Sequence, residues 1–238
     1  MAGKQPFHDM SNPGTMTVEE KTTETEEKIL EAALQVFSKK GKDGARMQEI
    51  ADLAGLNKAL LHYYFRSKEG LYDRVFEYMI AKLVKSFGPG LQEAPDFYQM
   101  LHIFIDSYID FIRDNLPVMR LMVTEHLAGG DRLRDRIRSM METPDSPPRL
   151  FLQRMNQAAA RGDIRPADPH QTLITLLSCC VFFFLILPTV ETFVPAARDN
   201  RDAFIEGRKD HVFDLIATSL RPVQEGRPVT WPRHRGKE

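Results

Sequence analysis

Between Leu173 and Leu187 the chain reads LITLLSCCVFFFLIL, fifteen residues in which the hydroxyls of Thr175 and Ser178 are the most polar side-chain groups. Such a run has to leave water, which limits it to a bilayer, a protein core or a subunit interface. As a helix at about 1.5 Å per residue it extends roughly 22 Å, short of the ~30 Å hydrocarbon core of a membrane. Pro188 closes it, and basic residues do not crowd its edges. The expectation is a helix buried on most sides, in a core or between subunits, and no membrane insertion.

The rest of the chain is read from its apolar spacing. Thr23 with Glu26 fits a capping box, and Ile29, Leu30, Ala33, Leu34 and Phe37 fall on one helical face that Gly41 ends. Met47 to Leu53 is a short helix, Gly55 a turn, and Asn57 an N-cap for a third helix, Lys58 to Phe65. Ser67 caps a long helix from Lys68 toward Phe87, before the Gly88-Pro89-Gly90 break. Further helices are expected over 96–115, 117–127, 131–142 and 149–161, then from Asp168 through the apolar run, and last over 202–220. No alternating strand pattern, hairpin signal or repeat interrupts them. The fold class is all-α: a three-helix head at 23–72 and a larger helical body at 73–220, flanked by a disordered arm at 1–22 and a disordered basic tail at 221–238. With 42% apolar and 27% charged residues the chain has a globular composition. The lone pair Cys179-Cys180 argues against a disulfide framework, and no secretory pattern opens the chain, so the expected compartment is the reduced cytoplasm.

Two short helices joined through a glycine, the second opened by a polar cap, have helix-turn-helix geometry. Ala51 and Gly55 are small enough for the two to cross closely, and Leu56, Leu61 and Phe65 supply a stripe to bury. The other side of the third helix shows Lys58, Ala59, His62 and Tyr63, short or hydrogen-bonding groups suited to a major groove about 12 Å wide. Net charge is −1 over the chain, yet Lys39, Lys40, Lys42, Arg46, Lys58, Arg66 and Lys68 face only Asp43, Glu49 and Asp52 near the turn. That local excess is a footprint for phosphates. The bland readings stand beside it: Tyr63 and Tyr64 as half-buried aromatics, His62 as a solvated histidine, and Lys39, Lys40 and Lys42 as a solvated helix end.

The stretch IADLAGLNKALLHYYFRSKEGLY, preceded by TEEKILEAALQVFSKKG, resembles the N-terminal domain of TetR-type (tetracycline-repressor-like) transcriptional regulators over residues 24–74. RGDIRP at 161–166 is a further likeness. The resemblance implies a ligand-responsive DNA-binding regulator, most simply a repressor released from a palindromic operator by a small apolar or amphipathic effector. It implies a homodimer formed through the last two helices, about 168–188 and 202–220. By position, Lys58, Ala59, Leu60, His62 and Tyr63 would enter the major groove, Tyr64 would reach a phosphate, and Lys68 would bind the backbone from the start of the fourth helix. Arg46, Gln48 and Asn57 complete the implied DNA-binding set. Three residues depart from the family's habit: Arg46 stands where threonine is usual, Leu60 where a small or hydroxyl residue is usual, and His62 where tyrosine is usual. These departures bear on operator sequence, not on the mode of binding.

In the body, Phe104, Tyr108, Met119, Met122, His126 and Phe183 are candidate effector-lining residues, with plain core packing as the alternative for each. Cys179-Cys180 reads either as an oxidant sensor or as two small hydrophobes. His102 with Asp106, and His211 with Asp214, share helical faces, but two ligands without a third make no metal site. No nucleophile-base pair, phosphate loop or paired-carboxylate motif stands out, so the expectation is no enzyme, no cofactor and no metal. Two other readings remain: a constitutive DNA-binding regulator without an effector, and a helical protein-interaction module.

Overall fold

A computed structural model of the chain describes residues 18–222, the first four as backbone only. Among them every regular element is a helix. The chain divides into two compact units, one up to Val75 and one from Phe76 onward.

The first unit holds α1 (Val18–Gly44), α2 (Met47–Leu53), α3 (Lys58–Tyr64) and the start of α4 (Lys68–Ser86). Helix α1 begins at Val18 rather than at a Thr23 cap. Sequence explains the difference: VEEKTTETEEK contains no Gly or Pro and is rich in Glu and Lys, so nothing stops the helix before Thr23. Residues 18–22 are therefore helical, not part of a disordered arm, and residues 1–17 and 223–238 lie outside the described residues. The predicted apolar face is buried and is wider than its spacing suggests, because Ala32 and Val36 are also covered. The Phe37 ring meets Tyr72 edge-on at 4.8 Å.

Gly41 breaks the helical geometry, but one more turn follows to Gly44. Its φ of 67° with ψ of 175° is open to glycine and strained for any residue with a Cβ. The Gly41→Ala variant should therefore lose about 1–3 kcal/mol of head stability, although a Cβ there meets no atom within 4 Å. Urea denaturation followed by far-ultraviolet dichroism measures it, and an unchanged midpoint would show that the kink relaxes freely.

The second unit continues with α5 (Gly90–Glu93), α6 (Phe97–Asp114), α7 (Leu116–Leu127), α8 (Asp131–Glu142), α9 (Pro147–Arg161), α10 (Pro169–Val190), α11 (Pro195–Asp199) and α12 (Arg201–Leu220). The single-turn helices α5 and α11 were not expected from the apolar pattern; each is too short to carry a period. Helix α9 starts two residues before Arg149, because Pro147 and Pro148 fill its first positions, where a missing N–H costs nothing. Helix α6 is the centre, with Phe97, Met100, Leu101, Phe104, Ile105, Ile109, Phe111 and Ile112 buried. It is packed by α5, α7, α9, α10 and α12. The RGDIRP segment closes one end of this packing. Gly162 ends α9 at φ 79°, Ile164 is buried, and the Arg165 N–H donates to the Leu220 carbonyl at 2.8 Å. The Arg165 guanidinium donates to the Ser219 carbonyl, which ties the link to the end of α12.

Helix α10 corrects the reading of the apolar run. The Asp168 carboxylate accepts from the Gln171 and His170 backbone N–H groups, which holds its carboxyl below the usual range. The helix then runs through Pro188 to Val190. Its 22 residues give about 33 Å, so by length and composition it is able to cross a membrane. Within one chain it is buried along one side. Leu173, Leu176, Cys180, Phe183, Phe184 and Leu187 are covered, while Ile174, Phe182, Leu185 and Ile186 are open, Phe182 at 60% exposure.

A charged network joins α6 to α12. Lys209 Nζ lies 2.8 Å from Asp106, 2.7 Å from Asp110 and 3.0 Å from Glu206. Arg113 meets Asp110 at 2.8 Å, Asp114 at 2.9 Å and Glu206 at 3.3 Å, and Asp114 is held below the usual carboxylate range by its hydrogen bond to that guanidinium.

Candidate functional site

The geometry of the head begins at the turn. Ala54 N–H donates to the Ile50 carbonyl at 2.9 Å and Leu56 N–H to the Ala51 carbonyl at 2.9 Å, with Gly55 at φ 70° between them. That left-handed step is why a glycine stands there. The Asn57 side chain then accepts from Leu60 N–H at 2.7 Å, capping α3. Ile50, Ala51 and Leu61 are fully buried and Phe65 nearly so. Leu56, expected in the buried stripe, is only half-covered, because it leaves the turn before α3 has begun.

With that side locked inward, the other side of α3 is wet. Lys58, Ala59, His62 and Tyr63 are exposed, Tyr63 at 80%, while Leu60 and Tyr64 are half-buried. The Tyr63 and Tyr64 rings meet edge-on at 5.6 Å. Arg46, Gln48 and Asn57 are exposed nearby in sequence. Gln48 donates to the Asp52 carboxylate at 2.7 Å. Arg46 occupies the N-cap position of α2 without a side-chain cap bond, as expected of a guanidinium, which only donates.

The basic residues separate into two groups. Lys40 pairs with Glu49 at 2.7 Å, and Lys42 pairs with Glu69 at 2.9 Å while lying over the Tyr72 ring. Lys39, Arg46, Lys58 and Arg66 are exposed and have no ion-pair partner among the described residues. Lys68 does something the sequence did not suggest. From the first turn of α4 its ammonium donates to the carbonyls of Asp43 and Ala45, each at 3.2 Å, and so fixes the link between α1 and α2.

In the second unit a cavity of about 190 Å³ lies among α4, α6, α7, α8, α9 and α10. Of the residues suggested by sequence, Phe104, Tyr108 and Met122 line it. Met119 is buried away from its wall, His126 is exposed, and Phe183 faces another depression. The wall also includes Ile80, Leu83 and Val84 from α4, Phe87 just past its end, Ile137, Met140 and Met141 from α8, and Leu173 and Leu177 from α10. The spacing of Leu133, Ile137 and Met140 puts them on one side of α8, but nothing local marks what that side faces. Tyr108 is the one phenol on this wall; burial pushes its pKa up, with the nearby Cys180 thiol adding to the shift, so the hydroxyl stays protonated.

The remaining candidates are occupied otherwise. The depression of about 620 Å³ between α10, α11 and α12 carries Arg208, which lies 5.3 Å from the Phe183 ring and donates to the Cys179 carbonyl at 2.8 Å. Cys180 is fully buried, and burial pushes its thiol up to about 12, so it is not a thiolate at neutral pH. Asp106 turns to Lys209, and His102 packs edge-on against Phe213 at 5.7 Å.

Residues 29–75 match the family model of bacterial regulatory proteins, tetR family. The chain is 28% identical over 200 residues to the HTH-type transcriptional regulator RutR of Escherichia coli O157:H7, covering 82% of this chain and 89% of that one. Among solved structures it superposes on a Saccharomonospora viridis protein in complex with choline (TM-score 0.64, 18% identity, 83% of this chain and 98% of that one). It also superposes on a TetR transcriptional regulator from Chloroflexus aurantiacus (TM-score 0.63, 22% identity, 85% and 99%). Residues 29–75 are thus a helix-turn-helix domain of the tetR-family kind, and the chain as a whole is similar to transcriptional regulators.

Proposed function

We propose that the chain is a cytoplasmic homodimeric repressor that leaves a palindromic operator when a small apolar or amphipathic effector fills its body. The observation that carries the DNA-binding part is the surface of α3: an outward Lys58, Ala59, His62 and Tyr63, beside Lys39, Arg46 and Arg66, which form no ion pair among the described residues. In this reading two copies of α3 enter successive major grooves about 34–36 Å apart. Lys58, Ala59, Leu60, His62 and Tyr63 face base edges, while Arg46, Gln48, Asn57, Tyr64 and Lys68 hold the backbone. Lys68 acts partly through the α1–α2 link it fastens. No catalytic step belongs to this proposal.

Dimerisation is assigned to α10 and α12. Ile174, Phe182, Leu185 and Ile186 on α10 and Leu215 on α12 form an open apolar face, the kind of surface a second copy covers. A bilayer suits it less well, since α12 beside it exposes Asp210 and Asp214.

The switch rests on the cavity and favours an effector-responsive regulator over a constitutive one. Helix α4 is continuous from Lys68 to Ser86. Its first turn holds the α1–α2 link, and its far end contributes Ile80, Leu83 and Val84 to the cavity wall. A ligand that fits one setting of α4 better than another shifts head spacing by that difference in affinity. One fold neighbour holds choline, which supports small-molecule binding by this architecture.

The test is selection of bound sequences from a random DNA pool, then operator titration with and without apolar compounds. Filling the cavity with Leu177→Trp should leave operator affinity unchanged and weaken effector-driven release by about tenfold or more. If saturating compounds never change operator affinity, the switch fails while DNA binding stands.

A further inference from the structure

Beside the cavity, and resting on its reading as the effector site, a second depression of about 290 Å³ opens between α4, α8 and the 143–146 link. Ile80, Val84 and Met140 belong to the walls of both, so three side chains divide them. Val84 is 37% exposed, and Met140 is an unbranched thioether with soft torsions, a divider able to swing aside. Glu77, Arg136, Ser139, Thr143 and Ser146 make this outer cleft more polar than the inner cavity.

Ser146 is the unusual member. It is 3% exposed and stands at the N-cap of α9, where a serine ordinarily accepts from the N–H two or three residues on. Here the first two helical residues are Pro147 and Pro148, and the second of them has no N–H to give. The Ser146 hydroxyl makes no cap bond and has no hydrogen-bond partner among the described residues. The same two prolines line the inner cavity, so Ser146, with its idle hydroxyl buried, belongs to the stretch of chain where the two linings meet. Native proteins seldom leave a buried polar atom unmatched without a ligand, a water or a function to match it.

Charge narrows what that ligand is. Arg136 is already paired with Glu77 at 2.5 Å, and Asp145 adds a second carboxylate at the rim. An anionic head would bring a third acid to one guanidinium. A cationic head would find Asp145, the one carboxylate here with no ion pair among the described residues, at the exposed rim, where water screens the pair. We infer that the cleft is a head-group subsite for an effector with an uncharged hydroxyl or carbonyl, bound by the Ser146 hydroxyl, whose apolar body occupies the inner cavity. An engineered apolar cavity of about 150 Å³ takes up benzene, so 190 Å³ suits a single ring or a short chain.

Four probes on the full chain separate the possibilities: hexan-1-ol, hexanoate, hexylammonium and toluene, followed by calorimetry and thermal melting. Hexan-1-ol should bind more tightly than either ion. The Ser146→Ala variant should weaken hexan-1-ol about fivefold, leave toluene unchanged, and raise the melting point of the free protein by about a degree or more, because an unmatched buried hydroxyl is gone. A structural role for Ser146 would move both probes together and lower the melting point. Equal losses for the two probes, no loss for hexan-1-ol, or tighter binding of an ion each overturns the subsite while toluene binding keeps the cavity reading alive. If neither toluene nor hexan-1-ol binds, and Leu177→Trp changes nothing, both fail.

Discussion

Lys58→Glu should reduce operator affinity about 100-fold and leave the fold intact. Lys58 opens α3, is exposed, and has no ion pair among the described residues, so its replacement removes no internal contact and costs about 0.5 kcal/mol of stability at most. Against DNA the same change removes a cation from the major groove and sets a carboxylate among acceptor-rich base edges and phosphates, a few kcal/mol together. The neutral Lys58→Ala variant isolates the first part: if the lysine contacts a phosphate, the slope of log affinity against log salt should fall by about 1. Fluorescence anisotropy over a salt series, with melting curves as a control, measures both. Wild-type affinity in Lys58→Glu would remove α3 from the interface and with it the proposed mode of binding.

Lys209→Met should destabilise the body by about 3 kcal/mol. Three carboxylates, Asp106, Asp110 and Glu206, close on one ammonium that is 9% exposed. Removing it leaves them facing one another, with Arg113 the other cation to hold Asp110 and Glu206. Breaking a buried pair costs about 3–5 kcal/mol. Asp106 and Glu206 are half-exposed, and water screens them, so the low end applies. About 3 kcal/mol in a chain of this size is a fall of roughly 6–12 °C in melting temperature. The pH dependence has a definite sign. Burial opposes the charge on Lys209, but the hydrogen bonds to Asp106, Asp110 and Glu206 outweigh it and hold the ammonium above the usual lysine range. A pKa raised in the folded state gives stability that is complete below the unfolded value, about 10.4 for lysine, and is lost as pH rises through the folded value. The gap between parent and variant should therefore be constant from neutral pH to about 10 and narrow above it. Equal melting temperatures at neutral pH would show that the network adds no stability.

The head was legible because its information is local. Gly55 is where the chain needs a positive φ, Asn57 caps the next three residues, and Ile50, Ala51 and Leu61 recur at helical spacing. Each of these follows from backbone geometry within a few residues. The charge excess was legible only as a count. That Lys40 and Lys42 are matched by Glu49 and Glu69, nine and 27 residues away, required the folded chain. The start of α1 was misplaced because Thr23 and Glu26 carry a cap-like spacing inside a segment with nothing to stop the helix earlier.

In the body, periodicity located the long helices but not their partners. Phe104, Tyr108 and Met122 share a wall, while Phe183, equally aromatic and buried, faces a different space. What the sequence by itself determined was the all-helical class, the helix-turn-helix and the inward sides of its helices, since turn chemistry and helical period act over three or four residues. Tertiary structure alone decided which apolar sides enclose a cavity, which face of α10 stays open, and which carboxylates gather on Lys209. Those outcomes depend on how helices far apart in the chain are brought together, and burial, charge matching and empty space exist only once they have packed.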